Sequence, residues 1–232
     1  MKPIAIVQHD PHDGPAFFAT WLEAQGLDYR LFAMHQGETL PARIEAYAGL
    51  AVLGGPMSAN DALPYYPALL RLMQQAFALR VPVIGHCLGG QLMSRALGGQ
   101  VQAADHVEIG WSQLEPVHAL AADWFGPEPL QLFQWHAESF SVPAGSTPLL
   151  RGRYCANQAF VLDDRHLAMQ FHCEVDAAKL RTWLDLGADE VRLCSSPGAQ
   201  TAAQILPGLD ADVARSQQIA SHIYRRWARG LC

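Results

Sequence analysis

The sequence predicts an α/β fold in which helices cover both faces of a mostly parallel central sheet with an antiparallel edge. Between residues 4 and 97, short apolar runs alternate with amphipathic segments. This alternation is typical of parallel strands joined by crossover helices. After Gly99, strand-like runs follow one another closely, which predicts the antiparallel edge. A glycine-rich turn around Cys87 joins one of the strands to a helix.

Four apolar runs in the first part of the chain are short enough to be strands and apolar enough to be buried on both faces. They cover residues 4–7, 29–32, 50–53 and 82–84. The segments between and after them carry apolar residues at helical spacing or are short enough for a single turn. These predicted helices cover residues 15–25, 42–47, 65–79 and 88–97. Gly26 and Gly98 follow two of the helices, as glycine commonly does at a helix C-terminus.

The second part of the chain predicts the antiparallel edge and two further helices. The predicted strands cover residues 100–103, 106–117, 130–135, 158–161 and 167–171, and the last two form a hairpin that turns at residues 163–165. The predicted helices cover residues 176–186 and 210–229. We expect one α/β domain over residues 1–188 and a helical extension over residues 189–232 that packs on the same domain.

The composition excludes several classes of protein. Of 232 residues, 50% are hydrophobic and only 16% are charged, which argues against disorder. A net charge of −6 argues against a nucleic-acid or anionic-membrane partner. We expect no membrane span, because no apolar run reaches the roughly 18 residues that one needs, and the N-terminus does not resemble a signal peptide. Five scattered cysteines suggest neither a disulfide framework nor a zinc site, so we expect a cytoplasmic protein.

The stretch around Cys87 predicts a nucleophile elbow, in which a strand ends in a tight turn and a helix begins at once. Glycines flank such a turn where neighbouring backbones come too close for a Cβ. The turn lifts the sulfur of Cys87 above the sheet edge and directs the N–H of Leu88 and the helix N-terminus at the same place. The simpler interpretation is that Cys87 is a small buried hydrophobic residue.

Three motifs resemble those of the class I, or triad, glutamine amidotransferases. Residues 85–91, Gly-His-Cys-Leu-Gly-Gly-Gln, are similar to the family's Gly-x-Cys-x-Gly-x-Gln motif. Residues 170–174, Gln-Phe-His-Cys-Glu, are similar to its Gln-Phe-His-Pro-Glu run, with Cys173 in place of proline. Residues 54–56 are a Gly-Gly-Pro turn after a strand. The resemblance covers about residues 3–186 and implies a flavodoxin-like three-layer sandwich.

The resemblance implies a catalytic triad of Cys87, His172 and Glu174. Cys87 would be the nucleophile and His172 the general base. Glu174 would orient the imidazole and stabilise the imidazolium. In extended chain, residues two positions apart project on the same side, which suits this pairing. The resemblance also implies that the backbone N–H groups of Gly55 and Leu88 bind the oxyanion. It further implies that Gln91 shapes the glutamine site.

A second His-x-acid pair, His136 and Glu138, competes with His172 and Glu174 for the catalytic role. In relatives this stretch borders the glutamine pocket and does not supply the base. We therefore predict that His136 and Phe140 line the substrate site, with a purely structural role as the alternative.

The loop at residues 9–14 holds two His and two Asp, which leaves several interpretations open. These groups could bind a metal, but we favour a polar loop in which Asp13 or a neighbour caps the next helix. Loops at the carboxyl ends of parallel strands also form substrate pockets. We predict no metal site and no cofactor.

The most specific functional prediction is an amidotransferase-like enzyme that hydrolyses the γ-carboxamide of glutamine or a γ-glutamyl amide through a glutamyl thioester. The chain resembles stand-alone GMP synthase-like or γ-glutamyl peptidase-like members, and it carries no P-loop. One hypothesis adds a separate synthetase or acceptor subunit, and a second is a self-sufficient γ-glutamyl hydrolase. A third is a non-catalytic regulatory binding protein with the same fold.

Overall fold

The computed structural model describes residues 2–127 and 129–231; Met1, Glu128 and Cys232 lie outside the described residues, and so do the predictions made for them. The described strands are β1 (Ile4–Gln8), β2 (Tyr29–Ala33), β3 (Gly49–Val52), β4 (Val83–His86), β5 (Val101–Pro116), β6 (Leu130–Phe140), β7 (Thr147–Arg151), β8 (Ala159–Leu162), β9 (His166–Met169) and β10 (Gly198–Ala199). The described α-helices are α1 (Ala16–Ala24), α2 (Tyr66–Ala78), α3 (Leu88–Ala96), α4 (Leu120–Phe125), α5 (Ala177–Leu186), α6 (Ala188–Leu193), α7 (Ala202–Ile205) and α8 (Leu209–Ala228).

The described strands form a ten-stranded mixed sheet. Nine of them lie in the order β10-β5-β7-β8-β9-β4-β3-β1-β2, and the tenth, β6, pairs with β5 outside this order. The strands β2, β1, β3, β4 and β9 are parallel neighbours. This order is the flavodoxin-like order and confirms the predicted fold class. Since parallel strands point the same way, the chain leaves β1, β3, β4 and β9 at one common edge of the sheet.

Two hydrophobic clusters cover the two faces of the parallel strands, which makes the fold a three-layer sandwich. Alternate residues of β1 enter different clusters: Ile4 and Ile6 pack with α1, α4 and α8, whereas Ala5 and Val7 pack with α2 and α3. This division follows from the alternation of side chains along a strand. A third cluster joins β5 and β6 to α5 and α8.

The antiparallel edge is confirmed, but its first two predicted strands are one continuous strand. β5 runs from Val101 to Pro116, and its pairing with β6 shifts register between Ala103 and Glu108. A bulge of this kind bends a strand without ending it, which explains why the sequence resembles two strands. The predicted hairpin between β8 and β9 is also present, and Asp163 and Asp164 at its turn have φ of 54° and 50°.

Several short elements differ from the prediction. The predicted helix at residues 42–47 is a single 3₁₀ turn, Ile44–Ala46, which is too short to continue as an α-helix. Five strands and α-helices were not predicted at all, because each is brief and depends on contacts with distant parts of the chain. They are α4, β7, α6, α7 and the two-residue strand β10.

The segment that begins at residue 189 contributes to the same core as the parallel strands. Ala220, Ile223 and Trp227 of α8 are buried in the cluster that contains Ile4 and Ile6. β10 adds a short parallel strand to β5. Within the described residues 2–127 and 129–231, the structure holds no helix with the length and apolar character needed to cross a membrane.

Glycines in the first turn of α3 allow the backbone of this helix to contact the backbone of the sheet. A Cβ placed on Gly89 would lie 2.0 Å from the carbonyl oxygen of Val52 in β3, and one on Gly90 would lie 2.5 Å from that of Met169 in β9. No side-chain movement relieves a clash with backbone. The glycines therefore allow α3 to begin directly over the carboxyl ends of β3 and β9.

We expect Gly89→Ala to destabilise the fold by roughly 1–3 kcal/mol, because the new methyl group must displace the backbone of β3. Urea unfolding measures this loss. Gly14→Ala is the matched control, since its Cβ would meet only Gln8 Nε2, at an ordinary 3.7 Å. Equal losses in the two variants would contradict this explanation of the packing.

Candidate active site

A cleft lies at the sheet edge where β1, β3, β4 and β9 end. Its volume is about 520 Å³, within the range of sites that bind small molecules. Residues from the loops after these strands line it together with residues of β6 and the end of α5. The lining includes Asp10, Asp13, Gly55, Cys87, Gln91, Trp135, His136, Glu138, His172, Trp183 and Glu190.

Cys87 occupies the predicted elbow between β4 and α3. Its φ of 48° and ψ of −108° are strained for a residue with a side chain. Its backbone N–H donates to the carbonyl of Met169 at 2.9 Å, which anchors the turn to β9. The sulfur lies in the cleft, where Gln170 Nε2 donates to it at 3.5 Å. Strain of this kind, held by the surrounding backbone, presents the thiol to the cleft.

His172 and Glu174 meet directly after β9. His172 Nδ1 lies 2.7 Å from Glu174 Oε1, and both side chains are buried. The backbone N–H of His172 donates to the carbonyl of Phe133 in β6 at 2.8 Å, so two strands fix its position. Cys173 between them is fully buried, and the close His172–Glu174 contact forms without the family's proline.

The imidazole of His172 also faces Cys87. A Cβ on Gly54 would lie 2.8 Å from His172 Cε1 and 3.7 Å from the Cβ of Cys87, so the glycine leaves room for both side chains. Burial alone lowers the pKa of His172, but its neighbours Glu174 and Cys87 outweigh this effect and raise the pKa to about 10. The arrangement therefore favours an imidazolium beside the Glu174 carboxylate.

Glu174 has a second cationic neighbour, Lys179 of α5. Lys179 Nζ lies 3.3 Å from Glu174 Oε1 and donates to the carbonyl of Gly14 at 2.8 Å. Burial alone raises the pKa of Glu174, but His172 and Lys179 more than offset this effect and hold the pKa well below its usual range. The carboxylate is consequently ionised although it has no exposure to water.

The two predicted oxyanion donors, Gly55 and Leu88, lie close to each other near Cys87. Leu88 is the first residue of α3, so its N–H has no intrahelical acceptor. Gly55 lines the cleft, and a Cβ there would lie 3.1 Å from both Leu88 Cδ2 and His9 Cβ. The structure thus brings Gly55 and Leu88 together beside Cys87.

The predicted pocket residues Gln91 and His136 both line the cleft. Gln91 Nε2 donates to the carbonyl of Glu138 at 3.1 Å and approaches Gln170 Oε1 at 3.3 Å. His136 Nε2 contacts the buried carboxylate of Glu108 at 3.1 Å. Its Nδ1 faces the backbone carbonyl of Glu138, and not that residue's carboxylate. The competing His136–Glu138 pair is therefore not assembled.

The prediction that Phe140 lines the substrate site is wrong in its placement. Phe140 ends β6 with its side chain in the hydrophobic core, where its ring packs edge-on against Phe160 at 5.2 Å between centroids. Side-chain alternation alone would place His136, Glu138 and Phe140 on one face of β6. The register shift of β5 opposite residues 136–138 distorts the strand pair in this stretch, and Phe140 beyond it faces the core.

The loop at residues 9–14 contributes to the cleft through Asp10, His12 and Asp13. The N-cap of α1 is Pro15 without a side-chain cap, so the expectation that Asp13 caps this helix is wrong. Asp10 Oδ1 instead accepts from the backbone N–H of His12 at 2.8 Å.

Among residues 2–127 and 129–231, two sets of three side chains lie close enough together to ligate a metal ion. They are His86, Cys173 and Glu174, and Glu108, His136 and Cys155. Both sets are fully buried, and their members already bond to neighbouring protein groups such as Tyr224, Gln158 and Ser139. Neither lies in the loop at residues 9–14.

Comparisons with known proteins match this fold and site. The family described as Glutamine amidotransferase class-I matches residues 22–184. The chain belongs to the class I glutamine amidotransferases. A crystal structure of a glutamine amidotransferase from Methylobacillus flagellatus shares 43% identity with a TM-score of 0.98, and the match covers 100% of this chain and 96% of that one.

Two curated relatives of this amidotransferase differ in how much of them is matched. The glutamine amidotransferase-like protein YfeJ of Salmonella typhimurium is 29% identical over 74% of this chain and 75% of its own length. The GMP synthase [glutamine-hydrolyzing] of Lactobacillus johnsonii is 32% identical over 55% of this chain but only 24% of its own length. The match therefore spans about a quarter of that GMP synthase.

Sequence reasoning missed three side chains of the amidotransferase site: Lys179, Trp183 and Glu108. Lys179 Nζ lies 4.7 Å from the centroid of the Trp183 ring, and that ring packs edge-on against His172 at 4.8 Å. The only signal in the sequence is a lysine five positions after Glu174, at the start of a predicted helix. Nothing local connects Glu108 to His136, which lies on the adjacent strand.

We expect His172 of this amidotransferase to remain protonated at neutral pH, because its pKa is raised to about 10. A raised pKa contributes stability that is fully present below the ordinary value of 6.5 and is lost as the pH rises through 10. An NMR titration of the imidazole measures the pKa directly. Cys87→Ala removes the sulfur that faces the imidazole and should lower this pKa; an unchanged titration curve would contradict that contact.

Proposed function

We propose that this chain hydrolyses the γ-carboxamide of glutamine, or a γ-glutamyl amide, through a glutamyl thioester on Cys87. The observation that carries the proposal is the position of His172, which lies between Cys87 and the ionised carboxylate of Glu174 at the floor of the cleft. A thiolate and an imidazolium side by side are the reactants that nucleophilic acyl transfer needs.

In the first half of the proposed reaction, the Cys87 thiolate attacks the γ-carbonyl carbon and forms a tetrahedral intermediate. The backbone N–H groups of Leu88 and Gly55 donate to the oxyanion that develops. His172 gives its proton to the leaving nitrogen as the carbon–nitrogen bond breaks, which releases ammonia or an amine and leaves the thioester. Glu174 stabilises the imidazolium and keeps its Nδ1 proton in place.

In the second half, water replaces the amine. The now neutral His172 takes a proton from the water as the oxygen attacks the thioester carbon. The collapse of the second tetrahedral intermediate releases glutamate and restores the thiolate–imidazolium pair. No cofactor is needed, because the thioester stores the acyl group and His172 returns each proton that it takes.

The remaining cleft residues suit a role in substrate binding. Gln91 is held by the Glu138 carbonyl and Gln170, and it lies one turn into α3 from Cys87. His136 is fixed by Glu108, with side-chain exposures of 1% and 0% for the two groups. Buried and bonded side chains of this kind form a rigid wall beside the reacting carbon.

Two enzymatic alternatives remain within this chemistry. An amidotransferase subunit would pass ammonia to a separate acceptor enzyme, as the glutamine-hydrolysing GMP synthase among the relatives suggests by its name and greater length. A self-sufficient γ-glutamyl hydrolase would release the amine to solvent. The cleft volume of about 520 Å³ favours the second alternative, since it leaves room for a leaving group larger than ammonia.

A purely regulatory protein is the weakest alternative. Burying the charged groups of Glu174, His172 and Lys179 together costs several kcal/mol of desolvation that apolar side chains would avoid. A protein that only binds ligands does not need this arrangement beneath a strained cysteine.

We expect Cys87→Ala to abolish glutamate release and His172→Ala to lower kcat by roughly 10²–10⁴-fold, the usual contribution of a general acid–base group. His136→Gln should mainly raise KM, because the amide still donates to Glu108 and keeps the buried carboxylate paired. Steady-state assays on glutamine and γ-glutamyl peptides measure these effects, with circular dichroism as a check on folding. A larger loss of kcat in His136→Gln than in His172→Ala would overturn the assignment of the base.

The purified chain, without any partner, is expected to release glutamate from at least one γ-glutamyl amide in a Cys87-dependent manner. The assay compares glutamine with a panel of γ-glutamyl peptides. Activity that appears only after a synthetase subunit is added would favour the subunit alternative. A diazo-ketone analogue of glutamine should label Cys87 alone; a label on Cys155 or Cys173 would contradict its role as nucleophile.

A further inference from the structure

Asp13 is a buried acid in the cleft whose carboxylate accepts no hydrogen bond from the described residues. Its side chain is 8% exposed and lines the cleft, and within residues 2–127 and 129–231 no hydrogen bond or salt bridge reaches its carboxylate. Lys179 lies nearby but directs its Nζ to the Gly14 carbonyl and to Glu174. A buried carboxylate without a donor is costly, so a bound cation would stabilise it.

The other acids of the cleft differ from Asp13 in having partners. Both carboxylate oxygens of Glu138 accept from Ser58 Oγ, at 2.9 and 2.8 Å. Glu190 accepts from Trp135 Nε1 at 3.2 Å, and Asp10 from the His12 N–H at 2.8 Å. The described residues that line the cleft include no Lys or Arg. The cleft is thus acidic, and Asp13 is its unpaired acid.

The position of Asp13 relative to the triad indicates which part of a substrate it meets. The carbonyl of His12 accepts from Trp183 Nε1 at 3.1 Å, and the carbonyl of Gly14 accepts from Lys179 Nζ. Trp183 packs on His172, and Lys179 bonds Glu174. Both neighbours of Asp13 in the chain are therefore tied to side chains that support the acid–base pair.

His172 must face the leaving nitrogen in order to protonate it. The leaving group consequently extends along the wall of the cleft that holds His172, Trp183 and Asp13. Gln91, His136 and Glu138 also line the cleft but come from other elements, α3 and β6, and we assign them to the γ-glutamyl part. Burial raises the pKa of Asp13, and the charges of Lys179 and His172 only partly oppose this rise.

We propose that Asp13 binds an ammonium group on the leaving amine, so that the preferred substrates are γ-glutamyl amides of diamines or of other amines with a second positive charge. The inference rests on the proposed function, since it assigns the leaving group of that reaction. Asp13 would act by substrate binding through a charge-assisted hydrogen bond, and the bonds made and broken are those of the thioester mechanism.

Three synthetic substrates of matched length test this specificity: the γ-glutamyl amides of diaminobutane, pentylamine and aminobutanoate. Their leaving groups end in a cation, a neutral methyl group and an anion. The whole chain should show kcat/KM on the order of tenfold or more higher for the diaminobutane amide than for the pentylamine amide, and lowest for the aminobutanoate amide.

Asp13→Asn should abolish this order, because kcat/KM for the diaminobutane amide falls to the value for the pentylamine amide in the same variant. Asp28→Asn is the control, because it removes the same charge from an exposed position just before β2, at the opposite edge of the sheet. It should keep the full preference. Calorimetric binding of the diaminobutane amide to Cys87→Ala, with and without Asp13→Asn, measures the same contact without turnover.

Three results would overturn the inference, and they separate it from the proposed function. Cys87-dependent hydrolysis of all three amides at equal rates would leave the proposed function standing and remove the role of Asp13. An equal loss for all three amides and for glutamine in Asp13→Asn would assign Asp13 to the γ-glutamyl ammonium group. No Cys87-dependent hydrolysis, together with equal calorimetric affinities, would reject both.

Discussion

The buried carboxylate of Glu174 is the charge around which the site is organised. An isolated carboxylate at this depth would be neutralised by a proton, because desolvation costs several kcal/mol. His172 at 2.7 Å and Lys179 at 3.3 Å keep it ionised. Its backbone carbonyl also accepts from the N–H of Phe17 at 2.9 Å, so α1 and α5 must both be docked before the acid–base pair is complete.

The elbow at Cys87 depends equally on close backbone packing. Gly85 and Gly89 approach each other so nearly that a Cβ on Gly85 would lie 2.6 Å from the Gly89 carbonyl carbon. This closeness sets the first turn of α3 over the sheet and aims its N-terminus at the cleft. The His172–Glu174 pair and Cys87 therefore follow different strands, and the parallel pairing of β4 and β9 places them side by side.

The C-terminal helix reaches the underside of the same site. Tyr224 of α8 contacts His86 Nε2 at 3.2 Å and Cys173 Sγ at 3.5 Å, next to His172 and Glu174. Burial raises the pKa of the Cys173 thiol, which keeps it neutral and suits packing more than chemistry. In place of the rigid proline of the family, this chain holds the His172–Glu174 turn by contacts from Cys173 to α8 and to Met169.

The sequence by itself determined the features that depend on local rules. Apolar runs in β1, β3 and β4 and glycines around Cys87 have their causes within a few residues, so the parallel sheet and the elbow were predictable. Only the tertiary structure decided the contacts within the site, because the loops that meet at the sheet edge bring together residues that are distant in sequence. It set Glu174 against Lys179, paired His136 with Glu108, left Asp13 without a hydrogen-bond donor in the cleft and turned Phe140 into the core. Burial and contacts with distant residues determine these placements, and the spacing of residues along the chain predicts neither of them.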